Sequence, residues 1–224
     1  MNYLGGKSRI AGKIASLFPS GLPFVEPFCG GLNVTVQRPD YSFCNDKNKA
    51  LITLYRAVQN GFELPDFVDE NTYQEYKAKQ DENDPLTAFI GIGCSFGAKW
   101  FGGYARNGKG DNYALRAKRS LLKKLGVCRD VVFTSEDYRE FLRDVPYGLV
   151  YMDPPYKGTT EYKDRGFNSE EFYDVCRTLS KTCKVYVSEY VMPDDFKCVL
   201  EIPTVSTLEK NSKHCERMER VYTL

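Results

Sequence analysis

The sequence predicts a three-layer α/β fold, because short apolar runs alternate with stretches of helical spacing along the chain. Apolar runs that are bounded by turn residues are typical of buried strands. The predicted strands are Phe24-Val25, Tyr41 to Cys44, Val131 to Phe133, Leu149 to Met152 and Val185 to Val187. The predicted helices cover residues 8–17, 47–59, 113–125, 136–142 and 169–181. We therefore expect a parallel sheet with helices on both faces.

Two of these helices carry additional signals. In the helix over residues 113–125, the spacing of Leu115, Leu122 and Leu125 places the three side chains on one face, which we expect to be buried. The helix over residues 169–181 starts at Asn168 and Ser169, either of which can cap a helix amino terminus. Its start is therefore predicted within a residue or two.

The stretch between the second and third predicted strands interrupts the alternation. Residues 63–112 are rich in Asp, Asn and Gly and show little regularity. We interpret about 63–125 as an insertion within a single domain that spans residues 1–224, because a chain of 224 residues leaves no room for two catalytic domains.

Composition excludes several classes of protein. No run of 18 apolar residues occurs, and the first residues carry no apolar signal segment, so we expect a soluble, unexported protein. The eight cysteines form no C-x-x-C pair and are expected to be reduced. His214 is the single histidine, so the chain offers no clustered ligands for a zinc site, and we expect no bound metal. A Ser-His-Asp hydrolase built on His214 alone is also disfavoured.

Charge is distributed unevenly along the chain, although the formal net charge is only +1. Residues 99–125 contain eight basic residues and one acid, a local excess of about +7, whereas residues 63–84 contain eight acids and two lysines. A helix surface of one sign favours a polyanionic partner, although the same residues can form an ordinary solvated face.

The ends of the first two predicted strands indicate a nucleoside site, since ligands of such sheets lie at the carboxyl ends of the strands. The first strand ends in Glu26-Pro27-Phe28-Cys29-Gly30-Gly31, and its glycines permit a sharp turn close to a ligand. Asp46 follows the second strand and can accept hydrogen bonds from ribose hydroxyls. The loop lacks the G-x-G-x-x-G pattern of dinucleotide sites. Gly6-Lys7-Ser8 also lacks the earlier glycine of a Walker loop, since Met1 stands there.

The most specific motif is Asp153-Pro154-Pro155-Tyr156, directly after the fourth predicted strand. An exocyclic amine of a base is a poor nucleophile, because its lone pair is delocalised into the ring. The Asp153 carboxylate and the Pro154 carbonyl can each accept a hydrogen bond from such an amine, while Tyr156 stacks on the base. The two prolines stiffen the turn that presents these groups.

With these motifs the chain resembles the Dam-like family of adenine-specific DNA methyltransferases, particularly its compact members carried by bacteriophages. The resemblance spans nearly the whole chain: Tyr3 to Lys7, Phe24 to Gly31, Asn45-Asp46 and Asp153 to Tyr156 match family motifs in the alpha order. It implies a Rossmann-like fold that binds S-adenosylmethionine. It also implies direct methyl transfer to the 6-amino group of a flipped adenine in double-stranded DNA, in a bacterial or phage-infected cytoplasm.

The resemblance also implies roles for particular residues. Asp153, Pro154, Pro155 and Tyr156 form the catalytic motif, and Asp153 also borders the cofactor. The cofactor-binding residues implied are Tyr3, Gly6, Lys7, Glu26, Pro27, Phe28, Gly30 and Asp46. Tyr3 and Lys7 would contact the cofactor near its adenine and carboxylate ends, and Asp46 its ribose.

Aromatic residues alternate with cations in front of the basic helix, a composition suited to phosphate contacts and to a ring wedged into the gap left by a flipped base. The residues predicted to bind DNA are Lys99, Trp100, Tyr104, Arg106, Lys109, Arg116 and Arg119. Trp100 and Phe101 can equally be core aromatics.

Alternatives to this activity remain open at the level of sequence. A D-P-P-Y turn can serve any exocyclic amine, so methylation of RNA adenine or of a cytosine amine is the main enzymatic alternative. A catalytically silent nucleic-acid-binding relative and a nicotinamide-dependent oxidoreductase are the others. The sequence does not fix the oligomeric state.

Overall fold

The computed structural model describes residues 1–156, 167–205 and 216–224. Its centre is a seven-stranded sheet in the order β3-β2-β1-β4-β5-β7-β6. The strands are β1 (Phe24–Glu26), β2 (Ser42–Asn45), β3 (Val132–Thr134), β4 (Gly148–Met152), β5 (Cys183–Glu189), β6 (Lys197–Val205) and β7 (Glu216–Thr223). The five predicted strands are confirmed, each within about two residues.

Every α-helix of the described residues except the first follows a residue whose side chain caps it. They are α1 (Ala11–Ala15), α2 (Lys49–Gln59), α3 (Glu70–Lys79), α4 (Pro85–Ala88), α5 (Tyr113–Val127), α6 (Tyr138–Arg143) and α7 (Ser169–Leu179). Asn168 accepts hydrogen bonds from the backbone of Glu170 and Glu171, as predicted for α7. Asn48 and Asn112 cap α2 and α5 in the same way. The helix predicted over residues 8–17 is shorter, at Ala11–Ala15.

Helices cover both faces of the sheet, so the predicted three-layer fold is confirmed. Phe24, Leu149 and Tyr151 lie on one face and pack against α1. Val150 and Met152 alternate with them along β4 and pack against α6 and α7 on the opposite face. Further along the first face, the ends of β2 and β3 pack against α2 and α5. The carboxyl ends of β1, β2 and β4 therefore meet at one edge.

The expectation of a fully parallel sheet is wrong at one side. Strands β1 to β5 pair in parallel, but β7 runs antiparallel to β5 and β6 antiparallel to β7. The sequence analysis did not predict β6 and β7. Their charged and polar residues, such as Glu201, Glu219 and Arg220, interrupt the apolar pattern that marks a buried strand.

The segment between β2 and β3 is more regular than expected. It contains α3, α4, a π-helical turn at Phe89–Gly93 and a 3-10 turn at Phe96–Ala98 before α5. Phe89 and Ile90 are fully buried against α2, so the segment shares the core of the sheet. Three of its Asp and Asn residues, Asp69, Asp84 and Asn112, cap helices.

The buried face of α5 differs from the predicted one. Ala114, Ala117, Leu121 and Leu125 are buried, whereas Leu122 is 43% exposed. The small alanine side chains allow α5 to approach its neighbours closely. Ala114 and Leu121 of the buried face each precede by one position a leucine of the predicted face, Leu115 and Leu122.

The cysteine prediction is confirmed over the described residues. Seven cysteines are free thiols, and all except Cys198 are buried. Cys215 and His214 lie outside the described residues. Across the three described ranges, the helices are all too short or too polar to cross a bilayer.

Candidate active site

An open cleft of about 1430 Å³ lies at the carboxyl edge of the parallel strands. The amino-terminal segment, the loop after β1, the end of β2 and the turn after β4 all line it. Every residue predicted to bind the cofactor or to catalyse the reaction lies on its wall: Tyr3, Gly6, Lys7, Glu26, Pro27, Phe28, Gly30, Asp46, Asp153, Pro154, Pro155 and Tyr156. The fold thus brings together residues that lie more than 150 positions apart in the chain.

An ion-pair cluster lies beneath the turn after β4. The Lys7 ammonium is 3.0 Å from Oδ1 of Asp153 and 3.4 Å from Oε2 of Glu219, and its side chain is 7% exposed. It also lies 4.5 Å from the centroid of the Tyr156 ring. The Tyr156 hydroxyl donates to Glu219 at 2.8 Å. Lys7 therefore contacts the predicted catalytic residues.

Burial and charge oppose each other in this cluster. Burial raises the pKa of Asp153, and Lys7 only partly offsets this effect, because Glu219 adds a second negative charge. For Lys7, burial lowers the pKa, but the carboxylates of Asp153 and Glu219 outweigh burial and raise it. The lysine is therefore held as a cation between two acids.

The glycine loop is shaped by Tyr3. A Cβ added at Gly31 would lie 2.7 Å from the Tyr3 Cβ, and one at Gly30 would lie 3.0 Å from its ring. Gly30 also has a positive φ of 41°, which favours glycine. The glycines were expected to allow a close approach to a ligand. In the structure they also allow the Tyr3 side chain to pack against the loop.

The same loop is supported from below by α2 and α5. The Tyr55 hydroxyl donates to the Gly30 carbonyl at 2.6 Å. The Lys124 ammonium donates to the Gly31 carbonyl and, at 2.7 Å, to Oδ1 of Asn33. Burial lowers the pKa of Lys124 to about 8. Lys124 belongs to the basic helix, but it supports the cleft instead of facing solvent.

Asp46 is half-buried and accepts backbone hydrogen bonds from Gly30 and from Asn48, both at 2.9 Å. It thereby joins the loop after β1 to the start of α2. The neighbouring Asn45 is buried, donates to the carbonyls of Pro27 and Glu136, and accepts from the Glu136 backbone. These bonds hold the ends of three adjacent strands in register.

Phe28 belongs to an aromatic cluster on the cleft wall. Its ring centroid lies 5.3 Å from that of Tyr138 and 6.2 Å from those of Phe167 and Phe172. Such a wall is apolar and rigid, which suits a planar ring ligand.

The residues predicted to bind DNA are distributed differently. Lys99 and Trp100 line the cleft, and the Trp100 indole donates to Gln80 at 2.8 Å. The others lie away from it: the Tyr104 hydroxyl bonds the Val68 carbonyl, Arg106 pairs with Glu70, Arg116 pairs with Asp111, and Lys109 and Arg119 are exposed. Phe101 is 5% exposed, so it is a core aromatic.

Two residues with notable positions were not singled out from the sequence: Glu219, which lines the cleft, and Phe96, whose ring is exposed. Glu219 lies on a strand that the apolar pattern did not reveal. Phe96 is 66% exposed in the turn before Lys99, and its position next to Gly97 was the available signal. Tyr190, which directly follows β5, also lines the cleft, and its ring packs edge to face on Tyr156, with centroids 4.7 Å apart.

Glu26 is fully buried, and its carboxylate accepts a hydrogen bond from Thr35. Burial raises its pKa from 4.5 to about 8, and the Thr35 bond opposes this only in part. Its neutral form therefore stabilises the folded state fully below pH 4.5, and this contribution is lost as the pH rises through about 8.

We expect Glu26→Gln to remove this pH dependence, because the amide cannot ionise. Between about pH 5 and about pH 8, the free energy of unfolding of the parent should fall relative to the variant, by at most about 1.4 kcal/mol for each pH unit. Urea unfolding at several pH values measures it, with the exposed Glu63→Gln as control. A constant difference between parent and variant at every pH would contradict the assignment.

Comparisons with known proteins agree with the motifs. The model of the D12 class N6 adenine-specific DNA methyltransferase family matches residues 3–89. The modification methylase StsI of Streptococcus sanguinis is 25% identical over 201 residues, which cover 75% of this chain. The chain spans 30% of that relative's length.

The solved structures are less similar to this chain in sequence than this relative is. Precorrin-6y C5,15-methyltransferase of Geobacter metallireducens is 11% identical with a TM-score of 0.44, covering 96% of this chain and 87% of its own. TrmN of Thermus thermophilus is 12% identical with a TM-score of 0.40, and the match covers 96% of this chain and 47% of TrmN. The strand order and the helix layers of this chain itself therefore define its fold. The match over residues 3–89, which include the amino-terminal motif, the glycine loop and Asp46, confirms the resemblance to the N6 adenine-specific DNA methyltransferases.

Proposed function

We propose that the protein transfers a methyl group from S-adenosylmethionine to the 6-amino group of adenine in double-stranded DNA. One observation carries this proposal: the cofactor motifs and the Asp153 turn line the same cleft. A donor and an acceptor of a methyl group must lie side by side, and a shared cleft meets that requirement.

The residues of the cleft fit S-adenosylmethionine. Asp46 is placed to accept from ribose hydroxyls, and the Phe28 cluster offers an apolar wall for an adenine ring. Neither the glycine loop nor the amino-terminal segment carries a phosphate-binding pattern, in keeping with a cofactor that has no phosphates. When bound, the cofactor supplies an electrophilic methyl group on a sulfonium.

Asp153 and the Pro154 carbonyl accept hydrogen bonds from the target amine and orient its lone pair toward the methyl group. The amine nitrogen would bond to the methyl carbon as the bond from that carbon to sulfur breaks, and the amine would release a proton that the Asp153 carboxylate can accept. Tyr156 contributes a ring on which the base can stack. No covalent bond to the protein is needed.

Residues 63–125 contribute DNA recognition in this proposal. Lys99 and Trp100 lie on the cleft wall, so they are close to a base that enters it. The exposed ring of Phe96 is a better wedge for the gap left by a flipped base than the buried Phe101. Backbone phosphates farther from the cleft would contact Lys109, Arg116 and Arg119. Arg116 would have to leave its ion pair with Asp111 to bind a phosphate. With a DNA substrate of this kind, the proposed place of action is the cytoplasm of a bacterial or phage-infected host cell.

We expect Asp153→Asn to lower the rate of methyl transfer by about 100-fold or more, because the amide is a weaker acceptor for the target amine. The affinity for S-adenosylmethionine, measured by calorimetry, should change much less. Labelled methyl transfer to duplex DNA, followed by nucleoside analysis, should yield N6-methyladenine.

The exposed Asp144→Asn is the matched control and should retain the parent rate. If the product is methylcytosine, the enzyme acts on a cytosine amine, and if only RNA is methylated, it acts on RNA. Either result would reject the proposed activity on DNA adenine. An Asp153→Asn variant that is as active as the parent would remove Asp153 from the reaction. Failure of the parent to bind S-adenosylmethionine would reject a methyltransferase altogether.

We expect Lys99→Ala to weaken binding of duplex DNA about tenfold at moderate salt, because one phosphate contact is lost from the cleft. The slope of the logarithm of affinity against the logarithm of salt concentration should fall by about one. Fluorescence anisotropy at several salt concentrations measures both. Lys184→Ala, on β5, is the control, and equal effects of the two substitutions would contradict a specific role for Lys99.

A further inference from the structure

Glu219 is a carboxylate in the cleft that none of the predicted motifs includes. It lies on β7, opposite Ile202 of β6, and its side chain is 16% exposed. The strand enters the sheet next to β5, so it reaches the cleft from the side opposite the glycine loop. A largely buried acid on a sheet strand requires partners, because an unpaired charge there is costly.

Both partners of Glu219 belong to the proposed catalytic machinery. Its Oε2 atom is 3.4 Å from the Lys7 ammonium and accepts from the Tyr156 hydroxyl at 2.8 Å. Lys7 is in turn 3.0 Å from Asp153. One carboxylate oxygen thus contacts both the cation that pairs with Asp153 and the ring proposed to stack on the base.

The arrangement has a consequence for Asp153. A lysine paired with a single carboxylate in a buried site binds it tightly and competes for its lone pairs. Here Lys7 is shared between two carboxylates, so its hold on Asp153 is weaker. Asp153 can therefore accept from an incoming amine with less competition from Lys7.

The arrangement also fixes the Tyr156 ring. Its hydroxyl is held by Glu219, its ring faces the Lys7 ammonium at 4.5 Å, and its flank packs against Tyr190. A ring held on three sides loses little conformational freedom when a base binds to it.

We propose that Glu219 is a positioning residue for methyl transfer, which holds Lys7 and Tyr156 so that Asp153 and the stacking ring are ready for the target base. The proposal rests on the proposed function, and it adds a residue outside the motifs that carry the resemblance. Glu219 does not touch the reacting atoms; it acts through its two partners.

The test is Glu219→Gln, which keeps the size of the side chain and an oxygen acceptor for Tyr156 but removes the negative charge beside Lys7. We expect kcat on duplex DNA to fall about tenfold to 100-fold, with KM and the affinity for S-adenosylmethionine changed about twofold or less. Glu219→Asp, which keeps the charge, should recover part of the loss. Glu201→Gln, an exposed carboxylate on the neighbouring strand, should behave as the parent.

The pH profile gives a readout that a structural defect would not move. The Glu219 charge raises the pKa of both Asp153 and Lys7. Its removal should therefore shift the acidic limb and the basic limb of the plot of kcat against pH toward lower pH. Carbon-13 NMR of lysine side chains follows the titration of Lys7 without any catalysis, and its pKa should fall in Glu219→Gln.

Two results would overturn the role of Glu219. One is a Glu219→Gln variant with the parent's kcat and pH profile. The other is a loss of activity equal to the fraction of unfolded protein, with the pH dependence of kcat and the pKa of Lys7 both the same as in the parent. If the parent itself transfers no methyl group to DNA, the proposed function fails. The Lys7 titration then decides by itself: an unchanged pKa rejects the contact with Glu219, and a lowered one supports it.

Discussion

The Lys7 ammonium is the group on which the cleft depends. It is almost completely buried, so it needs opposite charges close by, and Asp153 in the turn after β4 and Glu219 on β7 supply them. This requirement ties the amino-terminal segment to β4 and β7. It also means that the turn after β4 is positioned by an ion pair as well as by its two prolines.

The opposite wall is built from hydrogen bonds between side chains and the backbone. Asn45 joins the ends of three strands, Tyr55 holds the Gly30 carbonyl, and Asp46 bridges the glycine loop to α2. Each of these groups is buried or half-buried and makes bonds to the backbone, so the loop conformation is strongly determined. The proposed cofactor side of the cleft is therefore preformed, and the proposed catalytic residues lie on the side that contains Lys7.

Much of the fold and most of the cleft could be predicted from the sequence, because both follow from short apolar runs that end in chemically distinctive residues. Asp46 and Asp153 were found by that logic, and both lie on the cleft. Glu219 could not be found this way, since β7 lacks an apolar run and enters the sheet antiparallel. The inward direction of Lys124 was also hidden, because the charge pattern of α5 does not show which cation has buried carbonyls within reach.

A crystal structure with S-adenosylhomocysteine would show whether one cleft holds both the methyl donor and the target amine. We expect the ribose hydroxyls within hydrogen-bonding distance of Asp46, with the sulfur facing the Asp153 turn. A ligand bound elsewhere, or bound with its sulfur turned away from Asp153, would contradict this proposal.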